Sequence, residues 1–184
     1  MDAALHSPSA TSRPVTRGLV VLLRIAQVIL AVSLLAMVVL GAMFAVDGSP
    51  VRDMFVEYAA PGEPLPAFGS IAVACFASAV TAAAWFYVLH LLVKVVRSVQ
   101  AGDPFIEPNI GRLRAMWVII AATELFRMVV HAAADISVSG TSVVPAETGI
   151  DIRIGTWFLV LVIATLSEAF RHGAALRAEQ ELTI

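Results

Sequence analysis

Four apolar runs constrain this chain more than any other feature: Leu19–Val46, Phe68–Val96, Leu113–Ala134 and Ile154–Phe170. A hydrocarbon core of ~30 Å is crossed by about 20 residues rising ~1.5 Å each, and every run meets or approaches that length. Inside lipid the backbone must satisfy its own hydrogen bonds, which for runs of this kind means helices. Composition agrees: 59% of the 184 residues are hydrophobic and 14% charged, with a mean hydropathy of +0.88, more apolar than a soluble core requires. The formal charge of -2 carries no broad basic face, so direct nucleic-acid binding is not expected. The single cysteine, Cys75, lies within an apolar run and excludes an intrachain disulfide.

The first run is longer than the ~7–15 residues of a signal-peptide core, so it reads as a retained helix, with Arg24 able to snorkel towards the headgroups. Arg13, Arg17, Lys94, Arg97, Arg112, Arg114, Arg171 and Arg177 fall on one side of a four-span serpentine and only Arg52 and Arg153 on the other. That asymmetry puts both termini inside. Proline and glycine punctuate the outer connections, Asp47–Ala67 and Asp135–Arg153. The expected fold is all-α: a four-helix transmembrane bundle with antiparallel neighbours at 18–172, a disordered tail at 1–17 and a C-terminal tail at 173–184. Ser70, Ala74, Ser78 and Ala82 recur every four residues, a small-residue stripe for close packing within the bundle or for a homodimer seam.

Between the second and third runs stands Gly102-Asp-Pro-Phe-Ile-Glu-Pro-Asn-Ile-Gly-Arg-Leu-Arg114. Gly102 suits a left-handed helix end, Pro104 prevents continuation, Asn109 can cap the next helix, and Arg112 and Arg114 suit the headgroup level. The string resembles the bacterial membrane family known as domain of unknown function 2975, on Gly102, Pro104, Phe105, Asn109, Arg112, Leu113 and Arg114. The ending is similar too: Phe170-Arg171-His-Gly173, then Glu179, Glu181, Leu182, Thr183 and Ile184. The resemblance implies a four-span protein of the bacterial cytoplasmic membrane with no established activity. It also implies an association with a small helix-turn-helix regulator encoded nearby. Glu179 and Glu181 could fold back towards Arg112 and Arg114, or the end could add as a strand to a partner.

Glu124, Arg127 and His131, at i, i+3 and i+7, share one face of the third helix. Counted from Leu113 they lie ~16, ~21 and ~27 Å deep. Charges at such depth usually face the bundle and pair. Glu124 with Arg127 is therefore expected as an ion pair, or as a proton or cation site with His131 as gate. Glu168, His90, His172 and Arg24 could form an inner polar cluster, or Glu168 could pair locally with Arg171. A haem would need two histidines at one depth, which leaves His90 with His172, neither in a haem-specific pattern. No metal-ligand spacing, phosphate loop or nucleophile motif is present. The expected function is a non-enzymatic sensing or regulatory interaction, with transport through Glu124, Arg127 and His131 as the alternative.

Overall fold

The computed structural model describes residues 12–46, 68–139 and 152–181, which form four helices: α1 (Ser12–Val46), α2 (Phe68–Gln100), α3 (Glu107–Ser139) and α4 (Ile154–Glu181). Residues 1–11, most of the two outer connections, and Leu182, Thr183 and Ile184 lie outside the described residues. The all-α bundle expected from the sequence is the fold observed. Its helices overrun the apolar runs. α1 begins at Ser12, within the stretch read as tail, with Pro14 in its first turn where a missing N–H is tolerated. α4 does not end near Phe170 but continues past His172 and Gly173 through Ala, Leu, Arg, Glu and Gln residues, good helix formers, to Glu181. Hydropathy marks where lipid would be; propensity extends the helix beyond it.

Extensive contacts join α1 to α2, α2 to α3 and α3 to α4. The central core is made by three helices: Val88 and Leu91 of α2, Leu113, Met116 and Ile120 of α3, and Val160 and Ile163 of α4. α1 leans on the outside of α2 through a narrow line, Val20, Leu23, Gln27, Leu30, Leu34, Met37 and Gly41. The alternating three- and four-residue steps are the 3.5-residue repeat of a left-handed seam. A Cβ placed on Gly41 would lie 3.7 Å from Cys75 Cβ, so the two helices run antiparallel. From Cys75 the same repeat continues on α2 through Ala79, Ala82, Leu89, Val93 and Val96.

Within the chain, this seam takes the place of the small-residue stripe as the line of close packing. Ala82 is buried, but Ala74 and Ser78 are exposed, and the side chain of Ser70 lies outside the described residues. A four-residue step advances about 40° beyond a full turn each time, so such a line winds off a seam that a 3.5-residue step follows.

Among the described residues, three helices are long and apolar enough to cross a membrane: α1 over Arg17–Met43, α2 over Val73–Gln100 and α4 over Ile154–Arg177. α3, expected to span over Leu113–Ala134, is not among the three. Its 33 residues match the length of α2, but Glu124 and Arg127 interrupt its apolar stretch.

Candidate functional site

The hairpin between α2 and α3 is closed from both sides. Gly102 has φ 86°, a conformation costly for a residue with a Cβ. Gly102 N–H donates to the Val99 carbonyl and Asp103 N–H to the Ser98 carbonyl, the paired bonds of a Schellman ending. Asn109 then ties the two helices together. It does not cap α3, as the sequence suggested, because the helix already starts at Glu107. Its side chain is 0% exposed. The amide nitrogen donates to Ser98 Oγ and to the Pro104 carbonyl (2.8 Å), and Oδ1 accepts from Arg112 Nη1 (2.7 Å). Ser98 Oγ in turn donates to the Val95 carbonyl. Arg112, expected at the headgroups, is thus held by Asn109, while Arg114 is exposed and Leu113 is buried in the core.

The same end of the molecule receives α4. Phe105 packs on Phe170 with ring centroids 5.2 Å apart. Its ring also lies over Gly173, where an added Cβ would be 2.8 Å from Cε1. One turn further on, Arg177 Nη1 donates to the Asp103 carboxylate. The two segments that carried the family resemblance, far apart in sequence, are therefore in contact. At this end of α4, which is helical to Glu181, the contact the structure shows with the hairpin is Arg177 on Asp103. Glu179 is exposed, and the side chain of Glu181 lies outside the described residues.

The family's sequence profile matches residues 52–184, well over half of the chain. The chain belongs to the family described as Protein of unknown function (DUF2975). Comparison with curated proteins and with solved structures gave no match. The matched region holds α2, α3, α4 and both halves of the clasp, while α1 precedes it. In this DUF2975 chain, then, the family segment coincides with the three-helix core.

Deeper in the bundle, Glu124 prolongs the buried line Asn109, Leu113, Met116 and Ile120 of α3. It is 5% exposed. Arg127 Nε lies 3.2 Å from each carboxylate oxygen and Nη2 2.6 Å from Oε1, with the arginine side chain 10% exposed. His131, expected beside them, is exposed and has no polar partner among the described residues. Spacing fixes the direction in which a helical residue points but not how far its neighbours cover it.

Of the expected inner cluster, the structure brings Glu168 and His172 together. Glu168 bonds to Arg171 and, at 3.3 Å, to His172 on the exposed face of α4. Arg24 Nη1 donates to Gln27 Oε1 (3.0 Å) on α1. His90 stacks with Tyr87 on α2, with ring centroids 6.4 Å apart. His90 is two residues from Val88 and so lies across α2 from the core, while His172 is turned outward; they offer no shared axial position for haem. The local Glu168–Arg171 pair is the arrangement found. Depth had grouped these residues, but they divide into Glu168 with His172 on α4 and Arg24 and His90 on α1 and α2, each held by a neighbour on its own helix. Among the described residues no group of acids, histidines and cysteine could hold a metal ion.

Two features escaped the sequence reading. Ser98 carried no motif, yet it completes the Asn109 network. Asp103 and Arg177 became partners only through the length of α4.

Proposed function

We propose that this DUF2975 chain crosses the bacterial cytoplasmic membrane four times, both termini inside, and acts through a sensing or regulatory protein interaction rather than by catalysis. α3 is the crossing that composition alone does not favour. Its position between α2 and α4 and the neutralising Glu124–Arg127 pair support it. Arg17, Arg24, Lys94, Arg97, Arg112, Arg114, Arg171 and Arg177 all gather at the hairpin end, which supports an inward-facing hairpin.

The observation that carries the interaction reading is the clasp of hairpin and α4. Asn109, Phe105–Gly173 and Asp103–Arg177 fix the hairpin and the last helix as one unit beyond the membrane. A rigid aqueous platform of this kind suits a soluble partner, and a small helix-turn-helix regulator encoded beside the gene is our candidate. Co-purification from membranes tests it. The full chain is expected to retain the regulator, and a chain lacking residues 179–184 to lose it. Retention by both, or by neither, overturns this reading.

Transport remains the second reading because Glu124 is a buried acid within an apolar helix. Both of its oxygens are engaged by Arg127, which supports a structural role. Glu124→Gln is therefore expected to leave ion flux in proteoliposomes unchanged; flux abolished by that change would favour transport.

A further inference from the structure

Four of the five arginines of α3 and α4 have acceptors: Arg112 with Asn109, Arg127 with Glu124, Arg171 with Glu168 and, across the hairpin, Arg177 with Asp103. On α1 and α2 the one acceptor that the structure shows for a cation is an amide, Gln27 Oε1 for Arg24. Neither Ser12–Val46 nor Phe68–Gln100 contains an acid, yet the pair carries Arg17, Arg24, Lys94 and Arg97, all exposed.

Helical geometry gathers these four. Counting along both helices from the Gly41–Cys75 contact brings Gln27 level with Leu89, Arg24 with Leu92 and Arg17 with Val99, so Arg24 and Lys94 differ in depth by about 3 Å. Seen from the hairpin end, numbering advances clockwise along receding α1 and counter-clockwise along approaching α2. A residue that follows a seam position therefore lies on the same side of the pair, whichever helix it is on. Arg24 follows Leu23, Lys94 follows Val93 and Arg97 follows Val96. Arg17 is two turns from Arg24, and His90 follows Leu89. The core residues Val88 and Val95 precede seam positions and mark the opposite side, where α3 packs. All four cations thus line the outward face of the α1–α2 seam.

The floor of this face carries a second, independent signal. Gln27 is 4% exposed, and its amide nitrogen has no hydrogen-bond partner among the described residues. A buried donor left unmet costs about 1–3 kcal/mol. It sits in the seam, beside the Arg24 guanidinium that its own oxygen holds.

We propose that this face binds an anionic phospholipid. Its phosphate sits between Arg24 and Lys94, with Arg17 and Arg97 above, and one of its ester or hydroxyl oxygens accepts from the Gln27 amide. This site rests on the membrane reading but not on the regulatory one, and no part of its test involves a protein partner.

The test follows lipid retention and melting temperature of the purified full chain in non-ionic detergent. Phosphatidylglycerol, phosphatidylcholine and soluble glycerol phosphate are each titrated. Phosphatidylglycerol is expected to bind and raise the melting temperature; the other two are not. Arg24→Gln with Lys94→Gln is expected to weaken phosphatidylglycerol about tenfold, while Arg114→Gln with Arg171→Gln, which removes equal charge at the same end, weakens it less than about twofold. Equal weakening by the two pairs, equal stabilisation by phosphatidylcholine, or a soluble phosphate that matches the lipid overturns the proposal. Should the first pair fail to fold, Gln27→Leu supplies the reading: a preserved melting temperature without lipid and an affinity down about threefold are expected. Undiminished affinity overturns the proposal.

Discussion

The ring of Phe105 occupies the space that a side chain at Gly173 would need: a Cβ there would lie 2.8 Å from Cε1 and 2.9 Å from Cδ1. Contact with Phe170 limits the ring's retreat. Gly173→Ala is expected to destabilise the chain by about 1–2 kcal/mol, overpacking outweighing the ~1 kcal/mol that alanine contributes to a helix. In a Phe105→Ala background the sign should reverse, Gly173→Ala becoming stabilising. Thermal melts of the four proteins in detergent check this, and a cost that persists without the ring would refute the contact.

Asn109 is the polar residue whose loss should matter most to the hairpin. Asn109→Leu leaves Ser98, the Pro104 carbonyl and Arg112 without their shared partner, and should cost about 2–4 kcal/mol. Ser98→Ala removes one acceptor and should cost about 1 kcal/mol. If urea or thermal unfolding ranked the two in the reverse order, the hub would have been misassigned.

A buried acid depends on its partner. Arg127→Leu strands Glu124 among the α3 core positions and is expected to reduce assembly more than Arg127→Leu combined with Glu124→Leu. The yield of folded protein by size-exclusion chromatography separates the outcomes. Equal loss would argue against direct pairing.

The Asp103–Arg177 pair behaves differently because both side chains are about half exposed. Asp103→Asn or Arg177→Gln should each shift stability by less than about 1 kcal/mol, and by less still in high salt. A larger, salt-insensitive loss would mean that the clasp is held more by this pair than by the Phe105 ring.

Much of this fold was legible because lipid imposes a simple rule. Runs such as Leu19–Val46 and Phe68–Val96 must be helices, and Gly102-Asp-Pro104 must break one. The Glu124–Arg127 pair was legible because both partners sit on one turn of one helix. Asn109 was harder to read. Its position beside a proline suited a cap, and only the register of α2 against α3 shows that Ser98 stands opposite. The inner cluster was legible only in part for a related reason: Glu168 is at a depth comparable to Arg24 and His90 but on α4, and depth is one coordinate of three. The extension of α4 to Glu181 escaped a reading based on hydropathy, since nothing apolar marks it.

Among the described residues the extensive contacts of α1 are with α2, and residues 47–67 separate the two in the chain. During synthesis, therefore, the first helix enters the bilayer before its main docking surface has left the ribosome. For that interval the seam residue Gln27 faces acyl chains, shielded only by Arg24 one turn away on the same helix. That local bond lets a nascent segment wait in oil without a neighbour, and it makes the order of insertion a condition on the sequence.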